Sequence, residues 1–193
     1  MLTKGDDFPI HQKPSPLAEV GSSRNFYDRY FFNGYSHEDE IFFGAVLCVY
    51  PNLNIMDAAF TIAHKGVQHN VRASRILNLE RLDTVVGPIQ VKVIEPLQKL
   101  QVLVNDKDSG INVDITFDGF TEVLQEPQMY LYDGPRKTMD TCRMVQHGSW
   151  TGQIKLENLT IDIDQEKFVG TRDRSWGVRP VGAYDSQPTV PMS

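Results

Sequence analysis

The sequence predicts an all-β protein, folded as an antiparallel barrel or as a strongly curved sandwich of about ten strands. Two features of the 193-residue chain lead to this prediction. Apolar and polar residues alternate with a period of two through much of the sequence, as in strands that bury one face. Turn-forming residues separate these stretches at short spacing, and few segments place apolar residues at helical spacing. The closed barrel is the favoured architecture, because it leaves no exposed sheet edge.

The chain begins with a polar segment and continues into apolar strands. Residues 1–23 are polar and contain several prolines, so we predict an arm that leads into the first strand. Residues 26–32 are rich in aromatic side chains. The continuous apolar segments 41–50 and 55–64 are typical of strands that are covered on both faces.

The second half of the chain contains the clearest alternation. The loop 105–110 and the tight hairpin at 157–158 separate alternating stretches, and their residue types favour turns. Only residues 96–103 and 138–145 show weak helical spacing. Strict alternation predicts strands over residues 89–95, 100–104, 111–117, 154–156 and 161–163.

These observations divide the chain into three parts. The arm covers residues 1–23, and the barrel covers residues 24–181. Residues 182–193 contain glycine and proline without periodicity, and we interpret them as a linker-like tail.

Composition and charge exclude several classes of protein. Hydrophobic residues make up 40% of the chain, which rules out a disordered polypeptide. The formal charge of −6 and the lack of a basic run argue against nucleic-acid binding. The longest apolar run, residues 41–50, is too short to span a bilayer as a helix, and the first residues lack the apolar stretch of a signal peptide. We therefore expect a soluble cytoplasmic protein without an integral membrane segment.

The sequence predicts neither a metal site nor a cofactor. Cys48 and Cys142 have no disulfide or metal-binding spacing, so we expect two reduced thiols. His64 and His69 flank a predicted turn, but two histidines without a third ligand make a poor metal site. The chain contains no phosphate loop, dinucleotide fingerprint or catalytic-triad order.

The densest group of polar residues lies at 170–179. If this segment is a strand, Arg172, Arg174 and Trp176 share one face, and Asp173 lies on the other. An aspartate among guanidinium groups stays ionised, whereas an aspartate in a dry pocket can donate a proton. A third interpretation is an arginine–aspartate network that fixes the end of the barrel. The residue pattern alone leaves these alternatives open.

Two neighbouring motifs carry a family resemblance. Residues 147–163 contain a Gly-x-Trp-x-Gly hairpin, and the pattern Arg-Asp-x-Ser-Trp-Gly-x-Arg follows at 172–179. This combination resembles the lipocalin-like superfamily of carotenoid hydratases, which also includes fungal cyclising enzymes and uncharacterised bacterial proteins. Residues 94–104 and 110–117 fit the same pattern, and the bacterial branch is the most similar. In that family the second motif closes the first of two lipocalin-like barrels, so the resemblance implies a first barrel only.

The resemblance also implies roles for individual residues. Water addition to an alkene and acid-driven cyclisation both need a proton donor in a dry cavity, and Asp173 is the first candidate. Asp28 is a second candidate for the proton donor. The alternative role for Asp28 is a surface ion pair with Arg24 or Arg29. We expect the ligand pocket to be formed by cationic and aromatic side chains, namely Arg172, Arg174, Trp176, Arg179, Trp150, Tyr30 and Phe32.

Three functions remain open at this point. The first is binding of a hydrophobic, lipid-like or isoprenoid-like molecule, because a barrel of this size has room for one ligand. The second is an acid–base hydratase or cyclase with Asp173 as the proton donor. The third is a solid barrel that serves assembly. Besides a hydrophobic small molecule, the expected partner is a second copy of the chain or a second lipocalin-like domain, because an unpaired barrel exposes the surface its partner covers.

Overall fold

The chain folds almost entirely into β-strands, and the computed structural model describes residues 1–180. The predicted tail at 182–193 lies outside the described residues. Two short 3₁₀ helices, η1 (Lys4–Asp7) and η2 (Pro51–Leu53), occur in the described part. Its strands are β1 (Phe26–Ser36), β2 (Ile41–Tyr50), β3 (Ile55–His64), β4 (Val67–Ile76), β5 (Val85–Val86), β6 (Ile89–Glu95), β7 (Lys99–Asp106), β8 (Ile111–Gly119), β9 (Leu124–Gln125), β10 (Met129–Asp133), β11 (Arg136–Leu156), β12 (Leu159–Ile163) and β13 (Val169–Val178).

The strands form a nearly closed antiparallel barrel of 10 strands, which confirms the predicted fold class. Around the barrel the strand order is β4-β3-β2-β1-β13-β11-β8-β7-β6-β5. The two segments with weak helical spacing, residues 96–103 and 138–145, belong to the β6–β7 hairpin and to β11. Pairing with neighbouring strands satisfies their backbone groups and overrides the weak local spacing.

The seam of the barrel lies between β4 and β5, which no strand ladder joins within residues 1–180. Arg75 of β4 bridges the seam instead. Its Nε donates across the seam to the carbonyl oxygen of Val85 at 2.6 Å, while its Nη1 donates within β4 to the carbonyl oxygen of Ile76 at 2.9 Å. Its Nη2 lies 3.4 Å from a carboxylate oxygen of Asp83. One guanidinium group therefore replaces part of the missing ladder.

Strand β11 has 21 residues and changes its partners along its length. Its first part pairs with β13 and its last part pairs with β8, and the change occurs around Gly148. Strands β9, β10 and β12 also pair with β11, outside the main strand order. The first part of β11 therefore extends beyond the end of β8, at one opening of the barrel.

One half of the barrel interior is filled by aromatic side chains. The ring of Trp150 lies 5.8, 5.2 and 5.3 Å from the rings of Phe32, Phe43 and Phe117, measured between centroids. These rings are almost completely buried. Trp150 Nε1 donates a 2.9 Å hydrogen bond to the carbonyl oxygen of Asn33, so the buried indole has a partner. This half is a solid core.

A row of glycines on four neighbouring strands lets these rings approach the backbone. A Cβ atom at Gly34 would lie 2.2 Å from the ring of Phe43, and one at Gly148 would lie 2.4 Å from the ring of Phe117. Such distances are far inside van der Waals contact, so only glycine fits. The strand register aligns this row as Gly34, Gly170, Gly148 and Gly119.

The opposite end of the barrel is polar, and we call it the mouth. It is bounded by the start of β1, the loop 77–84 between β4 and β5, the turn 95–98 between β6 and β7, and the end of β8. Because antiparallel neighbours alternate in direction, these strand ends meet at one opening. No helix within residues 1–180 is long and apolar enough to cross a membrane.

Candidate functional site

The polar segment 170–179 forms most of strand β13, and alternation divides its side chains between two faces. Arg172 and Arg174 point into the barrel, and the strand register places Arg174 opposite Tyr30 of β1. Trp176 lies on the same face, opposite Asp28. Strands β1 and β13 therefore bring two arginines, a tryptophan, a tyrosine and a carboxylate together at the mouth.

Asp28 is the carboxylate of this group, and two guanidinium groups face it. Arg174 Nη2 lies 2.9 Å from Oδ1 of Asp28, and Arg81 Nη2 lies 3.4 Å from Oδ2. The side chains of Arg174 and Asp28 are 20% and 21% exposed. The guanidinium carbon of Arg174 also lies 3.8 Å from the centre of the Tyr30 ring, a cation–π contact. The surface ion pair proposed above for Asp28 is therefore replaced by a pair inside the mouth.

Arg172 has a different environment, although it lies only two residues away. It is 3% exposed, and its Nε donates a 2.7 Å hydrogen bond to Oε1 of Gln146. Its guanidinium carbon lies 5.9 Å from the centre of the Phe117 ring. Among the described residues, its buried Nη2 has no hydrogen-bond partner. Burial lowers the pKa of the Arg172 guanidinium, and the positive charge of Arg174 lowers it further.

Arg81 connects the mouth to the N-terminal arm. Its Nη1 donates a 3.1 Å hydrogen bond to the carbonyl oxygen of Leu17, while its Nη2 faces Asp28. Burial lowers the pKa of this guanidinium as well, and the carboxylate of Asp28 partly offsets the effect. The backbone nitrogen of Lys4 also donates to Glu80 in the same loop, at 3.1 Å. The arm therefore covers part of the mouth.

The arm is organised around the carboxylate of Asp6. The backbone nitrogens of Thr3 and Leu17 donate to it at 2.6 and 2.7 Å, and His11 Nε2 lies 2.6 Å from it. These hydrogen bonds, with the one from Thr3 first, lower the pKa of Asp6 to about 2. A segment that is rich in proline thus acquires a defined loop from one ionised side chain.

A cleft of about 500 Å³ opens at the mouth. Its walls come from the β6–β7 turn, from the end of β8 and from the chain that follows β8. Gln146 of β11 also lines it, and its Nε2 donates to the carbonyl oxygens of Leu97 and Thr121 at 2.9 and 2.8 Å. The oxygen of the same amide accepts the hydrogen bond from Arg172, so Gln146 joins the cleft to the interior arginine.

The outer face of β13 carries a second group of polar residues. Arg29 Nη2 donates to Oδ1 of Asp173 at 3.1 Å. The guanidinium carbon of Arg179 lies 4.1 Å from the centre of the Tyr27 ring. Cys48 is 4% exposed on the neighbouring strand β2, and burial raises the pKa of its thiol to about 11. This group lies on the opposite side of the sheet from the mouth.

The structure therefore separates the predicted site residues into three groups. Arg172, Arg174, Trp176, Tyr30 and Asp28 lie together at the mouth. Asp173 and Arg179 lie on the outer face, because residues separated by an even number of positions along an extended strand point to the same side. The aromatic side chains of Trp150 and Phe32 fill the solid core, which leaves them no surface for a ligand.

Two residues of the mouth were not predicted from the sequence. Arg81 lies in the loop after β4, and nothing in its local sequence links it to Asp28. Gln146 lies in the register position opposite Arg172, which becomes visible only when β11 is paired with β13. Within residues 1–180, no group of three or more histidine, cysteine, aspartate or glutamate side chains is arranged to hold a metal ion.

These features define a class: a lipocalin-like barrel with a solid aromatic half and a charged mouth. More particularly, the chain belongs to a family of unknown function, DUF8625, whose model matches residues 2–193. Among curated proteins, no match to the chain was found.

Solved structures with a similar fold support the lipocalin-like resemblance. Kievitone hydratase from Nectria haematococca is 17% identical with a TM-score of 0.60, and the match covers 77% of this chain and 47% of that chain. CghA with Sch210972 is 11% identical with a TM-score of 0.53, covering 80% of this chain and 46% of that chain. A further structure of CghA is 12% identical, with a TM-score of 0.51 and the same coverage. At these identities the likeness establishes the fold alone, and the chain spans less than half the length of these proteins.

Proposed function

We propose that this chain binds a hydrophobic small molecule at the mouth of its barrel. The observation that carries the proposal is the cleft of about 500 Å³ whose wall residue Gln146 is hydrogen-bonded to the buried Arg172. Sites for small molecules have volumes of roughly 300–1,000 Å³ and combine apolar walls with a few fixed polar groups. The cleft combines apolar and polar groups, since Leu97, Phe120 and Val123 line it together with Gln98, Thr121, Glu122 and Gln146.

The comparisons support a small-molecule function without specifying the ligand. One similar structure is a hydratase by name, and another contains the small molecule Sch210972. The matched region is less than half of each of those proteins. We therefore also propose that the barrel pairs with a second lipocalin-like barrel or with another copy of this chain.

The alternative is an acid–base hydratase or cyclase acting on an isoprenoid-like substrate. In that alternative we assign the reacting carboxyl to Asp28 rather than to Asp173. Asp173 lies on the outer face and pairs with Arg29, whereas Asp28 faces the mouth. Both carboxylate oxygens of Asp28 face guanidinium groups rather than the dry apolar pocket that a proton donor needs. Ligand binding is for this reason the function that we favour.

A solid structural barrel is the remaining possibility from the sequence. The aromatic half around Trp150 fits that description. The mouth fits it less well: the pairs of Asp28 with Arg81 and Arg174 could fix the end of the barrel, but the buried Arg172 has no described carboxylate partner to offset its desolvation.

A thermal-shift experiment with a neutral hydrophobic probe, 1-decanol, tests the proposal. A ligand present at 100 times its Kd stabilises the folded state by about 2.7 kcal/mol, which raises the Tm of a domain of this size by roughly 5–10 °C. Filling the cleft by Val123→Trp should remove the shift. The matched control is Val67→Trp, at an exposed position outside the mouth. If decanol raises the Tm equally in both variants, the cleft is not the binding site.

A further inference from the structure

We infer that the ligand of the mouth carries an anionic group, which Arg172 and Arg174 hold inside the barrel. The chemical class is an apolar molecule that ends in a carboxylate, a phenolate or an enolate. The inference rests on the proposed function, because it concerns the same site and names the chemistry of its ligand.

The balance of charge at the mouth is the first argument. Three guanidinium groups, those of Arg81, Arg172 and Arg174, lie around the carboxylate of Asp28, while Glu80 accepts from the arm and Glu122 lines the cleft. Both close ion pairs of Asp28 go to Arg81 and Arg174. Arg172 is therefore left without a described carboxylate partner in a desolvated space, where an uncompensated charge is unfavourable.

The environment of Arg172 is the second argument. Its described partners are neutral, namely the amide oxygen of Gln146 and the ring of Phe117. Its Nη2 is buried and has no hydrogen-bond partner among residues 1–180. A buried donor without a partner costs free energy comparable to a lost hydrogen bond, and more when the group is charged. A ligand oxygen bound to this nitrogen would satisfy the donor and compensate its charge.

The placement of the two arginines is the third argument. They occupy successive inward positions of β13, so their backbones are about 7 Å apart. The rigid strand and the contacts with Gln146 and Tyr30 fix both side chains. Guanidinium groups match the geometry of planar oxygen anions and are less strongly hydrated than ammonium groups. The pair can therefore hold one anionic group without moving the barrel wall.

Three probes with the same ten-carbon chain test the inference: decanoate, 1-decanol and decylamine. Their dissociation constants are measured by calorimetry with the whole chain at about 0.15 M salt. We expect decanoate to bind at least tenfold more tightly than decanol, which corresponds to about 1.4 kcal/mol. Decylamine should bind most weakly, because the arginines repel its charge.

The outcomes separate the two proposals. If none of the three probes binds, the proposed function fails. If decanol and decanoate bind equally, the barrel binds hydrophobic molecules but the anionic head group is refuted. The comparison needs no variant, so it remains decisive even where a substitution prevents folding.

A pair of arginine variants locates the anion. Arg174→Gln should reduce the preference for decanoate over decanol by about tenfold, because one of the two charges is lost. The matched control is Arg143→Gln, since Arg143 lies on the outer face and faces Glu126 at 3.6 Å. The control should keep the full preference. If the two variants keep the same preference, the anion binds elsewhere and the inference is wrong.

Discussion

Replacement of Asp28 by asparagine tests the charge balance of the mouth. The substitution keeps the size of the side chain and removes the carboxylate that faces Arg174 and Arg81 at 2.9 and 3.4 Å. Arg174 and Arg81 then face a neutral amide instead of their carboxylate partner. We expect Asp28→Asn to lower the free energy of unfolding.

The magnitude follows from the distances and the burial. Opposite charges about 3 Å apart attract each other by roughly 5 kcal/mol at an effective dielectric constant of about 20. Removal of one partner from a buried pair costs about 3–5 kcal/mol. The side chains of Asp28 and Arg174 are 21% and 20% exposed, so the lower end of this range applies. A loss of about 3 kcal/mol lowers the Tm of a domain of this size by roughly 6–12 °C.

Urea unfolding followed by tryptophan fluorescence measures the effect. The matched control is Asp118→Asn, because Asp118 is 42% exposed and its carboxylate lies 2.8 Å from Lys99 at the surface. Exposed pairs contribute little, so this variant should unfold close to the parent chain. Decanoate should also restore more stability to Asp28→Asn than to the parent, because it replaces the missing anion. Equal unfolding free energies for the two aspartate variants would refute the charge argument.

Three further outcomes follow from other parts of the structure. Gly170→Ala should lower the free energy of unfolding by at least about 3 kcal/mol, because overpacking against backbone cannot relax. The Cβ of the new alanine would lie 2.0 Å from a carbonyl oxygen of β1. Gly66→Ala, at φ +79 in open space, should cost only about 1 kcal/mol in the same urea titration, and similar losses for both would show that the close packing is not real. Alkylation at pH 8, mapped by mass spectrometry, should modify the partly exposed Cys142 well before Cys48, whose thiol is buried with a pKa of about 11; faster reaction of Cys48 would contradict its burial. The pKa of Asp6 falls from 3.8 to about 2 on folding, so its contribution to the arm is present above about pH 4 and is lost as the pH falls through about 2. As the pH is lowered over this interval, amide exchange in the arm, corrected for intrinsic rates, should become faster. Constant protection would show that Asp6 does not hold the arm.

The sequence was sufficient for the local features of the site. Alternation in residues 172–176 correctly placed Arg172, Arg174 and Trp176 on one face of a strand and Asp173 on the other. This succeeded because the direction of successive side chains is a local property of extended backbone. The same reasoning could not say which of the two faces is the interior. The family resemblance made Asp173 the first candidate for the proton donor and Asp28 the second.

Aromatic residues show a different limit. Trp150 and Phe32 were predicted to contact a ligand because aromatic side chains suit both pockets and cores. In the structure, Trp150 lies against Gly170, one of the aligned glycines, and the ring of Phe32 packs against Trp150. A glycine row across four strands is not a sequence motif, because its members become neighbours only through strand register.

By itself, the sequence determined an antiparallel all-β fold, either a barrel or a strongly curved sandwich, with an arginine-rich strand, since alternation and turn residues act over a few positions. The tertiary structure alone decided that Asp28 meets Arg174 and Arg81, that Gln146 meets Arg172, and that the arm reaches the mouth. These contacts join residues far apart in the chain, and a shift of one residue in strand pairing would turn each of the strand side chains to the other face. The charge balance of the mouth, and with it the proposed ligand, is therefore a property of the closed barrel.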